Sequence, residues 1–151
     1  IIRGATAIGY FTHRWRPDFK EFAPTEAMKT ELKRLNAQIT QLAPAILASP
    51  AKVKVTMKLS GNLACHVKTT EHNGRLYIFA QNIDLGKDAE KLAQGQDITP
   101  RGGKATLSIS GLTEGTTIEI IGENRTVTAQ AGKFYDDFAP LAEHIYCIPL
   151  S

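Results

Sequence analysis

The sequence predicts a mainly β fold: an antiparallel β-sandwich of seven to eight strands, preceded by one strand–loop–helix unit. Two observations carry this. Apolar residues repeat at helical spacing up to Ile46 and at a spacing of two after Pro50, so the architecture changes at the Ser49-Pro50 break. Beyond that break, short alternating runs are separated by turn-forming residues, a pattern that fits an antiparallel sandwich. Residues 1–50 are therefore expected to form a terminal β/α unit, and residues 51–151 the sandwich.

The elements follow in chain order. Residues 1–11 are apolar and small, interrupted by Gly4 and Gly9, and predict a short strand buried on both faces. A polar and aromatic loop, Thr12 to Asp18, follows. Pro24, Thr25 and Glu26 suit the first turn of a helix, where the missing proline amide does no harm and an acidic side chain meets the positive end of the dipole. Met28, Leu32, Leu35, Ile39, Leu42 and Ile46 step by four and three, one apolar stripe on a helix over about 25–47. Pro44 is expected to kink or end the regular part near Ala43, because it lacks an amide proton and crowds the preceding turn.

After Pro50, Val53, Val55, Met57 and Leu59 alternate with Lys54, Thr56 and Lys58, predicting a half-buried strand. Leu63 to Thr70 forms a second, and His72-Asn73-Gly74 reads as a hairpin turn. Arg75 to Ile83 is apolar on both parities, which places it centrally. Asp84 to Gly103 is long and polar, with a helical turn expected near Asp88–Leu92; a connection of that length is unusual in a compact domain. Further strands are expected around Ala105–Ile109, Ile118–Ile120 and Val127–Ala129, with Gly122 to Arg125 as a turn. In the stretch from Ala131 to Leu150, Phe134 and Phe138 are expected to anchor the last turn on the core. Either Ile145 and Cys147 or Tyr146 and Ile148 then complete the sheet.

Composition narrows the function classes. Apolar content of 42% and charged content of 22% are those of an ordinary globular chain. A net charge of +3 with no basic block gives no footprint for nucleic acid. No apolar run approaches the roughly 20 residues of a membrane-spanning helix. The start, Ile1-Ile2-Arg3, lacks an initiator Met and the order of a signal peptide, and reads as the continuation of a longer chain. Cys65 and Cys147 are either one cross-strand disulfide or two buried thiols. His13, His66, His72 and His144 are dispersed, with no pair at metal-ligand spacing, and neither a metal nor another cofactor is implied. Gly95 to Lys104 lacks the spacing and the Ser or Thr of a phosphate loop. Asn124-Arg125-Thr126 has the form of a glycosylation acceptor.

Several phrases resemble the carboxy-terminal region of microbial glycoside hydrolases. Gly4 to Phe11, the following aromatic loop, Glu31 to Ile39 and Leu42 to Leu47 resemble the last strand and helix of a (β/α)8 barrel. Lys52 to Val55, Gly74 to Asn82, and Phe134-x-Asp136-x-Phe138-Ala-Pro140 with His144-Ile-Tyr146 resemble the β-sandwich that follows it. The resemblance implies a chain acting in polysaccharide degradation, secreted or periplasmic, whose partners are a poly- or oligosaccharide and an upstream catalytic barrel, with no nucleic acid and no membrane. It also implies that the two catalytic carboxylates lie on earlier barrel strands, so none of the catalytic residues is expected here.

The acidic pairs agree with that expectation. Asp18 with Glu21, Asp136 with Asp137, and Glu114 with Glu119 sit in no catalytic phrase, and neighbours on an extended chain point to opposite faces. They read as solvated turn residues. The carbohydrate-contact candidates are Trp15, the only tryptophan, with Tyr10, His13, Arg14 and Arg16. Loops after barrel strands form the active face, and an indole beside polar groups suits a sugar ring. The same Trp15 can equally pack on the protein with the arginines in solvent. Two other readings stand beside this one: a self-standing carbohydrate-binding module that presents Tyr77, Tyr135 or Tyr146, and a structural interaction domain.

Overall fold

One helix and eight strands account for the regular structure, in a computed structural model that describes residues 1–13, 18–20, 22–87, 89–95 and 97–150. The chain divides after Leu47 into two units, each described by itself.

The first unit is built on α1 (Glu26–Ile46). Thr25 caps it, its hydroxyl accepting the Met28 amide at 3.2 Å, and Glu26 stands in the first turn. The expected apolar stripe is graded: Met28 is exposed, Leu32, Leu35 and Ile39 are half-buried, and Leu42 and Ile46 are buried. Pro44 does not end the helix. Its missing amide forfeits one hydrogen bond near the carboxyl end, and the Leu47 N–H still closes the last turn on the Ala43 carbonyl at 3.0 Å.

The expected strand over residues 1–11 is absent. Gly4 has φ 91°, and its N–H turns back to the Ile1 carbonyl at 2.9 Å. An apolar run becomes a doubly buried strand only when neighbouring strands accept its backbone groups, and residues 1–11 have no ladder partner. They run instead as irregular chain beside α1, where Ala5, Ala7, Ile8, Ile39 and Ala43 line a groove of about 210 Å³.

The second unit is an antiparallel sandwich. A three-stranded sheet has the order β1 (Val55–Leu59), β4 (Gly103–Ile109), β7 (Lys133–Phe138). A five-stranded sheet has the order β2 (Cys65–His72), β3 (Arg75–Asn82), β8 (Glu143–Pro149), β5 (Thr117–Ile120), β6 (Arg125–Thr128). Strand alternation supplies the core. Leu76, Ile78, Ile118, Ile120, Tyr146 and Ile148 of the larger sheet and Leu59, Ala105, Leu107, Phe134 and Phe138 of the smaller are all buried in one cluster. Each such aliphatic or aromatic side chain removed from water stabilises the fold by roughly 1.5–3 kcal/mol. Of the two parities left open for the last strand, Tyr146 and Ile148 face this core. The ring of Tyr146 meets that of Phe134 edge-on at 4.8 Å.

The β2–β3 turn is the hairpin the sequence predicts: Asn73 (φ 49°) and Gly74 (φ 69°) are both left-handed, between the paired His72 and Arg75. Both cysteines are free. Cys65 pairs with Asn82 and Cys147 with Tyr77, so β3 stands between them and a disulfide has no geometry to form.

The long connection between β3 and β4 is pinned at its base. Asn82, fully buried, donates from Nδ2 to the carbonyls of Arg101 (2.7 Å) and Ala139 (3.0 Å), and its Oδ1 accepts the Asp84 amide at 3.0 Å. Asp84 then takes the Arg101 guanidinium in a fork, 2.9 and 3.0 Å. Gly86 is obligatory here: at φ 85°, a Cβ would lie 2.3 Å from the Thr99 carbonyl oxygen. The expected helical turn is a 3-10 turn over Ala89–Gln94.

Candidate functional site

The carbohydrate-contact candidates fall in the first unit. The Tyr10 hydroxyl donates to Asn36 Oδ1 of α1 at 3.0 Å, which fixes the phenol while leaving the residue 43% exposed. His13 lies between two rings, Phe11 at 6.3 Å and Phe19 at 5.7 Å. Trp15, Arg14 and Arg16 lie outside the described residues, as does Glu21, so the Asp18–Glu21 pair has no described geometry. Around Tyr10 and His13 the apolar surface is dense. Of the ten exposed large hydrophobic residues among the described ones, five (Ile8, Tyr10, Phe11, Phe19 and Phe22) lie within residues 8–22, and Phe11 is 97% exposed. The Phe22 face carries the Lys29 ammonium 5.8 Å from its centroid.

The sandwich holds the strongest electrostatic feature, and it corrects the reading of Asp136 as a solvated turn residue. Phe134, Asp136 and Phe138 share one face of β7, and that face is the core. The buried Asp136 accepts a fork from Arg125 of β6 (2.8 and 2.9 Å), the Tyr146 hydroxyl of β8 (2.9 Å) and the Asp137 amide (2.9 Å). Burial alone would push this carboxyl up; Arg125, Tyr146 and the amide outweigh it and hold Asp136 below the usual carboxylate range. Burial, with the Asp136 charge, pushes the Tyr146 phenol up.

Beside it, Glu123 accepts from His144 Nδ1, and His144 Nε2 faces the Asp137 carbonyl at 3.2 Å. A carboxylate orienting an imidazole is half of a nucleophilic triad. The other half is missing, because Nε2 points at a carbonyl oxygen rather than at a hydroxyl or thiol. Asp136 cannot serve as a general acid either, since four donors hold it as a carboxylate. The group is a brace between the two sheets: β6 and β8 belong to one and β7 to the other.

At one end of the sandwich, a cleft of about 380 Å³ opens over Leu76, Ile109 and Ile148, with Ser110, Thr113 and Thr116 at its rim. Among the described residues no titratable side chain lines it, so it offers shape without acid–base chemistry. Among the described residues, no group of three His, Cys, Asp or Glu side chains could hold a metal ion, and no helix is long and apolar enough to cross a membrane.

The Arg125–Asp136–Tyr146 brace had a signal in the sequence, the alternation that puts Asp136 on the side of Phe134 and Phe138. Nothing in the local sequence marks Asn82, whose side-chain N–H groups donate to carbonyls 19 and 57 residues away. Compared with known proteins, the chain matches no family model, no curated protein and no solved structure.

Proposed function

We propose that this chain is the carboxy-terminal, accessory portion of a glycoside-hydrolase-like protein acting on poly- or oligosaccharide. Its first unit would complete a catalytic barrel, and the loop from Tyr10 to Arg16 would contact sugar. The observation that carries this reading is the concentration of exposed aromatics in residues 8–22. A phenylalanine left almost wholly in water forgoes about 1.5–3 kcal/mol of burial, and apolar surface gathered in one segment marks a place that another surface covers. Residues 1–11 have the apolar run of an interior strand but no strand beside them; barrel neighbours would supply both the ladder and the cover. The resemblance of this segment and of α1 to the last β/α unit of a barrel points the same way. The catalytic carboxylates then belong to earlier strands, in keeping with Asp136 being locked by Arg125.

Affinity electrophoresis of the 151-residue chain against a panel of uncharged soluble polysaccharides tests the sugar contact. Retardation by at least one glycan is expected, with Trp15→Ala weakening it about tenfold, the scale of one lost aromatic stacking contact. Retardation unchanged in Trp15→Ala would remove the loop from the reading. Hydrolysis by the 151-residue chain itself, abolished by a carboxylate substitution, would overturn the accessory role.

A further inference from the structure

The outer face of the three-stranded sheet is a second surface, distinct from the Tyr10–Arg16 loop. Alternation turns Thr56 and Lys58 of β1, Lys104, Thr106 and Ser108 of β4, and Lys133, Tyr135 and Asp137 of β7 away from the core. Lys54 joins them, because the Ser110 N–H continues the ladder to its carbonyl at 3.1 Å. Register makes the rows Thr56–Ser108–Lys133, Lys58–Thr106–Tyr135 and Lys104–Asp137. Hydroxyls therefore occupy the centre and ammoniums the perimeter, and Tyr135, 46% exposed, is the aromatic ring on the face. Lys54, Lys58, Lys104 and Lys133 are exposed, and among the described residues none is held in an ion pair.

The charge distribution is uneven. Taking these four lysines and Asp137 from the chain's 18 basic and 15 acidic residues leaves 14 of each. The whole net charge of +3 thus equals that of one sheet face about 10 Å wide. Such a face concentrates polyanions.

We infer that this face binds an acidic polysaccharide carrying one carboxylate per ring, a polyuronate. The lysines are separated by hydroxyl-bearing residues instead of forming the contiguous basic runs that meet densely charged chains. Thr56, Thr106 and Ser108 can both donate to and accept from sugar hydroxyls, and Tyr135 offers a flat ring to the apolar side of a pyranose. Single-stranded nucleic acid needs a series of stacking rings, and this face carries one. The choice of a glycan rests on the function proposed above; the surface itself does not.

The test uses the 151-residue chain in affinity electrophoresis with polygalacturonate, neutral hydroxyethyl cellulose, dextran sulfate and oligo-dT. Polygalacturonate is expected to bind best, and less tightly as salt rises. The Lys58→Gln/Lys104→Gln/Lys133→Gln triple variant and Tyr135→Ala should each weaken it about tenfold or more. Tyr135→Phe, which keeps the ring, should retain binding, and so should Lys33→Gln, on α1. Trp15→Ala should leave polygalacturonate binding unchanged, which separates this surface from the loop. Three results would each sink the inference: no retardation by polygalacturonate, oligo-dT or dextran sulfate bound as tightly as polygalacturonate, or an equal loss in Lys33→Gln. Melting curves of all variants verify that the sandwich is folded; Lys33, Lys58, Lys104, Lys133 and Tyr135 are all solvent-exposed.

Discussion

Replacing Asp136 by alanine should cost the sandwich about 3 kcal/mol of stability, read as a lower urea midpoint at unchanged slope. Removing one member of a buried ion pair strands the others. Here the Tyr146 hydroxyl, in a fully buried residue, loses its acceptor, and the Arg125 guanidinium loses its fork. The figure stays at the low end for broken buried pairs because the Arg125 side chain is 37% exposed and Glu123 still holds it. A loss below about 1 kcal/mol would show that the brace is incidental to the fold. The same carboxyl predicts an acid limb. Its pKa is lower folded than unfolded, so its contribution is complete above the unfolded value, near pH 4, and disappears as pH falls through the folded one. Asp84, held down chiefly by Arg101, acts in the same direction. Stability should fall more steeply below about pH 4 in the native chain than in Asp136→Asn; parallel pH profiles would contradict the assignment.

The second large effect is expected at Asn82. Its alanine variant leaves the Arg101 carbonyl and the Asp84 amide without their Asn82 partner at the foot of the long connection, and the Ala139 carbonyl with the Ala142 N–H alone. Each buried polar group stranded in this way costs about 1–3 kcal/mol, and some are recovered by water, which puts the total near 3 kcal/mol. The global loss should come with a local one. Limited proteolysis should cut between Asp84 and Arg101 much faster in Asn82→Ala than in the native chain, because the loop then hangs on the Asp84–Arg101 fork without the amide that ties both ends to the sandwich. Equal cleavage rates in the two proteins would mean that the Asp84–Arg101 fork holds the loop unaided.

Periodicity made most of the sandwich legible. The change from Ile46 to Val53, the Asn73-Gly74 turn and the alternation in β4 and β5 are local signals, and local backbone preferences set those elements; Phe134 and Phe138, expected to anchor a turn, lie on the strand β7. Three things escaped, the first because it is settled at a distance. The run from Ile1 to Phe11 has strand character without a partner, and strand formation is a property of pairs. Pro44 lies so near the end of α1 that the helix loses one hydrogen bond and continues. Asp136 was judged from its acidic neighbour Asp137, whereas its place follows from Phe134 and Phe138, two residues to either side. The basic face of the small sheet was hidden for a related reason: Lys58, Lys104 and Lys133 are scattered along the chain and come together only through the β1–β4–β7 order.

The position of β8 also governs how the molecule can be made. It lies between β3 and β5, and the Arg75–Cys147 contact joins residues 72 apart. On the ribosome, where chains lengthen by about 5–20 residues per second, the β2–β3 and β5–β6 hairpins must wait as separate pieces until Glu143 to Pro149 emerges and joins them. Strand edges are exposed throughout that interval, and closure by such distant segments is slow. Trimming β8 would therefore leave two unjoined hairpins rather than a slightly smaller sandwich.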